Sequence, residues 1–368
     1  MQVEPITNLL LNARLMAEPR YIFRPDSSDG WGDEEALLDE FFLEWRETGG
    51  LPLRLKAGRQ EMQFGNRWII YDGTALDGSR SEFFDAVRVT AETRDKKTTL
   101  DLIGILVRSE ANDNLPIIND LNDPLAEQDE RAGVLYASHE VAPELRVDAF
   151  YIFRHLSPRL DNGLDGDLHT PGLRFWGKAG DRWDYSVQGA VQLGNVNDKQ
   201  AMAWGWNSEL GLMLGGRWKH RVYMGHEYLS GDDPDTSRNE GWDPAWSRRG
   251  RFSELMVFTF AAESDGRRGY FSNLQRPSVG WTANPIDKLE LRLEYSPLLA
   301  NSNPMAGSEM FSANGRFRGH YALASLKYTI SEHVNFAIRN ELFFPGDYYS
   351  SDHRDTADFI RAEINVTF

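Results

Sequence analysis

A transmembrane antiparallel β-barrel of about sixteen strands is the fold the sequence predicts, and three observations carry it. Apolar and polar residues alternate with period two over segments of about ten residues, again and again along the 368-residue chain. The connections between those segments alternate between long and short, as they do where one side of a membrane carries loops and the other tight turns. No apolar run is long enough for a spanning helix, whereas strands need only alternate residues to face lipid.

Taken in order, the first strand sets Leu9, Leu11, Ala13, Leu15 and Ala17 against Asn12, Arg14, Met16 and Glu18. A polar loop is expected at 25–35, then Phe41, Leu43 and Trp45 oppose Phe42, Glu44 and Arg46 up to a turn at Gly49 and Gly50. The return strand sets Leu53, Leu55 and Ala57 against Arg54 and Lys56. In 81–94, Val87 and Val89 oppose Arg88, Thr90 and Glu92. The next segment, 98–108, alternates poorly, because Ile103, Ile105 and Val107 stand among Leu100, Leu102 and Leu106, and its faces stay unassigned. After an acidic loop at 112–130 come a weak strand at 132–138 and a clear one with Leu145, Val147, Ala149 and Tyr151 against Arg146, Asp148 and Arg154. A loop at 157–168 precedes a strand in which Leu173 and Phe175 face away from Arg174 and Trp176.

The pattern is sharpest at 183–228. Trp183, Tyr185, Val187, Val191 and Leu193 share one face, followed by Met202, Trp204, Trp206, Leu210, Leu212 and Leu214, and then Val222, Met224 and Tyr228. The other face carries Asp184, Gln188, Asn207, Glu209, Arg221 and Glu227. The longest irregular segment follows at 230–271, then strands at 279–283, 289–295, 321–328, 334–342 and 360–368. In the second of these, Leu289, Leu291 and Leu293 oppose Glu290, Arg292 and Glu294.

Local alternation does not say which face points inward. A soluble sandwich hides the apolar face between sheets, and a membrane barrel turns it to lipid. The connections decide. Long ones fall near 22–36, 62–80, 109–130, 155–167, 195–200, 230–271, 297–318 and 344–357, and short ones between them, which a sandwich has no reason to produce. Trp45, Trp183, Trp218, Tyr228, Tyr295 and Tyr328 near strand ends suit interfacial girdles. The whole chain, 1–368, reads as a single barrel domain in the cell outer membrane.

With 40 basic and 56 acidic residues and a net charge of −16, the chain is a poor nucleic-acid ligand. It has no cysteine, which fits an oxidising location. The first residues lack the basic segment of a signal peptide, so an exported protein is read here without one.

The segments AGRQEMQFGNR (57–67) and SEFFDAVRVT (81–90) resemble the strand–loop–strand signature of the alginate export porin family of Gram-negative outer membranes. The resemblance continues through AWGWNSELG (203–211), EYLSGDDPDTSRNEGWDP (227–244), NPIDKLELRLEY (284–295) and FFPGDYY (343–349). It implies an eighteen-stranded barrel with an arginine-rich lumen that passes an anionic uronate polymer, with outer-membrane lipid and periplasmic export proteins as partners. The chain departs from that pattern at its start, where about two strands are expected to be missing, and in its many lumenal acids. A gap or strained seam is therefore expected between the strands of 9–17 and 360–368.

The polar face carries Arg14, Arg54, Lys56, Arg88, Arg146, Arg174, Arg221, Arg292, Arg339 and Arg361, together with Glu209, Glu227, Glu290 and Glu294. Guanidinium groups grip planar carboxylates bidentately, so these residues are candidates for pore lining and substrate binding. The plainer reading is cross-strand ion pairing that stiffens the wall. Arg59 falls on the lipid side by strict alternation, unless Gly58 bulges or the residue lies beyond the apolar band. The acidic loops, DNGLDGD at 161–167 among them, read as solvated surface rather than calcium sites, and no histidine spacing suggests a metal. No nucleophile elbow or phosphate loop is present, so neither catalysis nor a cofactor is expected. The function expected is a passive channel for an anionic polysaccharide or oligosaccharide. The alternatives are a small-solute diffusion porin and a soluble all-β carbohydrate-binding protein.

Overall fold

The computed structural model describes residues 2–22, 30–47, 52–71, 83–109, 117–118, 126–248 and 251–367. Its strands are β1 (Gln2–Ile6), β2 (Leu9–Ile22), β3 (Gly30–Arg46), β4 (Leu53–Gln60), β5 (Phe84–Glu92), β6 (Thr98–Val107), β7 (Ile117–Ile118), β8 (Gln128–Ala142) and β9 (Leu145–Pro158). They continue with β10 (Gly166–Ala179), β11 (Trp183–Val196), β12 (Lys199–Gly215), β13 (His220–Leu229), β14 (Leu274–Ile286), β15 (Leu289–Leu299), β16 (Phe317–Thr329), β17 (Val334–Pro345) and β18 (Ala357–Val366). Sixteen of them, β2–β6 and β8–β18, are the antiparallel strands of the barrel wall, and the short β1 pairs with β2. Each pairs with the next in the chain, except that β6 pairs with β8 and the two-residue β7 lies along β3. The sheet is not closed. Its ladders run from β1 to β18, and none joins β18 to β1 or β2 among the described residues.

Several boundaries differ from the sequence reading. The loop expected at 25–35 gives way to strand from Gly30, and the weak strand at 132–138 is fifteen residues long. The connection expected to be long at 195–200 is a two-residue hairpin, Asn197–Asp198, with φ of 51° and 62°. Both residues tolerate the left-handed conformation that such a tight hairpin requires. Loop lengths therefore do not alternate without a break. The turn expected at Gly49 and Gly50 lies outside the described residues.

The concave side is identified by what crosses it. Residues 61–71, after β4, reach β12 and β13: Asn66 Nδ2 donates to Asn207 Oδ1 at 2.7 Å and Trp68 Nε1 to Glu227 Oε1 at 3.0 Å. A segment can touch strands so far apart only by passing through the inside of a curved sheet. On the opposite face stand Leu43, Leu102, Leu135, Leu173, Val187, Met224, Leu293 and Ile360, all exposed as a lipid-facing wall requires.

The upper lumen is not empty. Residues 61–71, 230–248 and 251–273, the last including the short helix α1 (Met256–Thr259), fold inward and build an apolar core against the wall. Trp68 stacks on Trp242 with ring centroids 4.9 Å apart, and Trp246 meets Phe84 edge-on at 5.7 Å. This resolves β6: Leu100 and Leu102 face lipid, while Asp101, Ile103 and Ile105 face in, the isoleucines packing in the inner core. Arg59 stays on the lipid side. It stands opposite Phe41 with no register shift, and its charge is met by Asp85 at 2.9 Å. Gly58 beside it has φ +124°, and a Cβ there would lie 2.3 Å from the Phe41 carbonyl oxygen.

Six histidines lie in strands: His139, His155, His169, His220, His226 and His320. All occupy lipid-facing positions, opposite or beside outward residues such as Phe153 for His169 and Phe344 for His320. Most are tied to aromatic neighbours in the interfacial belts, as Tyr151 Oη to His169 Nδ1 at 2.6 Å and Trp206 Nε1 to His226 Nδ1 at 2.8 Å.

Candidate channel lumen

Alternation places the ten cations singled out in the sequence on the inner face, and most meet an acid from the same or the neighbouring strand. Arg14 Nε donates to Asp39 at 2.7 Å and Arg88 Nε to Asp101 at 2.7 Å. Arg146 meets Glu140 at 2.7 Å, and Arg174 meets Asp148 at 3.4 Å. Arg221 bridges Asp184 at 2.9 Å and Glu209 at 2.6 Å. Arg292 donates to Glu294 at 2.6 Å and to the Tyr223 hydroxyl at 3.0 Å. Arg361 spans Glu254 at 3.1 Å and Glu363 at 3.2 Å, while Arg339 holds Glu341 and lies 3.5 Å from Glu254.

Arg54 and Lys56 differ. Both lie near the short-turn end of β4, and neither makes a side-chain hydrogen bond or ion pair among the described residues, although Glu44 stands opposite Lys56 in register. Lys56 Nζ rests 3.7 Å above the Phe42 ring, and Arg54 is exposed. Glu290 is also exposed; it stands opposite Lys327 in register without an ion pair among the described residues.

Two charged nodes fasten the inward segments to the wall. In the first, fully buried Glu227 accepts from Trp68, from Arg276 Nε at 3.2 Å and from Arg251 of the inward segment, and Arg276 continues to Glu294 at 3.0 Å. In the second, Arg154 Nη1 donates to Asp243 at 2.8 Å and Nη2 to Glu130 at 2.8 Å, with Trp246 Nε1 also on Glu130 at 2.9 Å. Burial opposes ionisation of Asp243, yet the Arg154 guanidinium holds its carboxyl below the ordinary range. A depressed carboxyl stabilises the folded arrangement above the ordinary aspartate value of about 3.9 and loses that contribution as pH falls through the lower folded value. Acidification below about pH 4 is therefore expected to loosen 240–248 and change the fluorescence of Trp246. Asp243→Asn should show the loosened signal at neutral pH; an unaltered acid transition in that variant counts against the node.

Sequence reasoning missed Arg251, Arg276, Glu254, Glu130 and Trp68. Arg276 was out of reach because β14 begins at Leu274, five residues before the strand expected there. The others lie in connections or at strand ends, where alternation carries no signal.

A family model described as alginate export matches residues 11–363. The chain belongs to the alginate export family. As a family member with the architecture of an outer-membrane porin, it is a β-barrel channel of the cell outer membrane. No curated protein matches it in sequence. Among solved structures it is similar to Pseudomonas aeruginosa OccD3 (OpdP), with TM-score 0.58, 9% identity, and coverage of 98% of this chain and 82% of that one. OccK11 (OpdR) of the same organism gives TM-score 0.54 and 12% identity over 98% and 95% of the two chains. The P. aeruginosa outer membrane protein OprD gives 0.55 and 10% over 98% and 84%. At these identities the likeness concerns the fold. The alginate export family member shares the barrel, and its inner-face chemistry is set by its own residues.

Proposed function

We propose that the channel passes an anionic polysaccharide or oligosaccharide passively, and that Arg54 and Lys56 are the first lumenal groups to meet its carboxylates at the short-turn mouth. The observation that carries this reading is that neither makes a direct ion pair among the described residues, on a wall where the other singled-out arginines are ion-paired. Membership of a family described by alginate export supports the class of solute. In this reading the paired arginines, Arg292 among them, hold the wall open and supply a fixed alternating field, and the unpaired cations keep all their donors for a carboxylate. Periplasmic export proteins would deliver the polymer to that mouth.

The test is block of single-channel current by short oligouronates in planar bilayers. The double variant Arg54→Gln with Lys56→Gln is expected to weaken block about tenfold, as two partly screened ion contacts of about 0.5–1 kcal/mol each would give. Arg292→Gln should change block far less. The difference should shrink in high salt, as the Debye length falls below about 8 Å. Equal block by neutral oligosaccharides would favour the small-solute diffusion porin, and block unchanged in the double variant would remove these two residues from the path.

A further inference from the structure

The lipid-facing wall between β4 and β9 carries an open groove of about 760 Å³. Most outward positions of the wall hold bulky apolar side chains, but here Gly104 of β6 stands directly opposite Gly133 of β8. Val87 of β5 and Phe153 of β9 flank the pair in register. A Cβ at either glycine would meet nothing within 4 Å, and neither backbone has a positive φ. Neither packing nor conformation thus calls for glycine at these two sites, and the notch they open faces the membrane.

One outward step toward the long-loop side, the next row across the strands reads Arg59, Asp85, Leu106, Arg131 and His155. Arg59 is occupied by Asp85 and the Leu38 carbonyl, and His155 by Asp167 at 2.8 Å. Arg131 is exposed, and its side chain makes no hydrogen bond or ion pair among the described residues. Its height follows from β8. The outward positions from Arg131 to Val141 span ten residues. At about 3.3 Å each and a tilt of about 40° this gives about 25 Å, the height of a barrel's apolar band. Arg131 therefore stands at the upper edge of that band, level with the head groups of the outer leaflet, and the glycine notch lies just beneath it.

We propose that this groove seats one anionic glycolipid of the outer leaflet, an acyl chain lying in the Gly104–Gly133 notch and a head-group phosphate on the Arg131 guanidinium. The charge complements: a planar guanidinium with all its donors free meets a phosphate at the depth where phosphates occur. The shape complements too, because a flexible hydrocarbon chain fills a notch that no protein side chain occupies. This site is on the outside of the barrel and does not depend on which solute passes through it.

The test is native mass spectrometry of the full chain, folded in detergent and titrated with a bisphosphorylated, hexa-acylated glucosamine disaccharide lipid. The same lipid stripped of phosphate serves as the second probe. The wild-type chain is expected to retain one phosphorylated lipid. Arg131→Glu and the Gly104→Leu, Gly133→Leu pair should each retain at least tenfold less, and the dephosphorylated probe should bind the wild-type chain as weakly. Heat-modifiable electrophoretic mobility reports that each variant is folded; should the double leucine variant fail to fold, Gly133→Leu alone is read, its side chain starting in open space. Wild-type retention by either variant, or equal retention of the two probes, overturns the proposal. So does a wild-type dimer that the leucines convert to monomer, since the notch would then belong to a second copy.

Discussion

Replacing Glu227 with Ala is expected to lower the unfolding free energy by roughly 3–5 kcal/mol, the cost of leaving buried charge without its partner. Glu227 has no exposed surface, and three donors converge on it: the Trp68 indole, Arg276 and Arg251. Without the carboxylate Arg276 keeps Glu294 at 3.0 Å, but the described residues offer Arg251 no other acid. Burial already draws Arg251 below its ordinary value with Glu227 in place. The energetically cheaper escape is for the 251–263 segment to leave the lumen. The variant should therefore combine a lower urea midpoint in lipid vesicles with larger and noisier single-channel conductance. Glu227→Gln keeps the volume and one acceptor for Trp68, and should fall between the two. A Glu227→Ala channel with wild-type conductance and midpoint would show that the inward segments are held by their apolar core alone.

The second large effect separates the two faces of β15. Leu293 is 52% exposed on the lipid side, near the middle of an eleven-residue strand. Leu293→Arg is expected to cost roughly 2–4 kcal/mol, the penalty for a cation at the bilayer midplane. Leu291, the middle of the three leucines of this row, sits two residues nearer the turn. Leu291→Arg should cost less, since the penalty falls to about 0–1 kcal/mol near the interface. Arg292→Leu removes a side chain that is 40% exposed in the lumen, and Glu294 retains Arg276 and the Tyr223 hydroxyl. Its cost should stay within about 1 kcal/mol, as for other partly solvated ion pairs. The order Leu293, Leu291, Arg292 in unfolding midpoints is the outcome to look for. A larger loss at Arg292 than at Leu293 would contradict the assignment of faces.

The wall was legible because lipid and water impose opposite demands on neighbouring residues. Leu289, Leu291 and Leu293 against Glu290, Arg292 and Glu294 can be read only one way once the barrel is accepted. What fills the lumen was not legible by the same means. Ile103 and Ile105 look like errors in an alternating strand until Trp68 and Trp246 arrive from connections far away in sequence, and both faces of β6 become apolar. The failed alternation of 98–108 was thus itself the trace of the inner core. The Asn197–Asp198 hairpin carried a readable signal in its two turn-forming residues, which loop-length reasoning overrode. The partners of the lumenal arginines could be guessed where they lie across one ladder, as for Arg88 and Asp101. They could not be guessed for Arg361, whose partner Glu254 belongs to a segment that folds inward.

The placement of the strand histidines has a consequence for conduction. Histidine is the side chain whose ordinary titration falls between pH 5 and 8, and none of the six strand histidines faces the water-filled side. The remaining two, His333 and His353, lie in connections outside the strands. The charge along the inner wall is then set by guanidinium, ammonium and carboxylate groups, whose ordinary titration lies outside that interval. Ion preference, read as reversal potential under a salt gradient, should stay flat from pH 6 to pH 8. A pore of this kind is insensitive to the acidity of the medium outside the cell, and a slope in that interval would mean that His333 or His353 bends into the path of the ions.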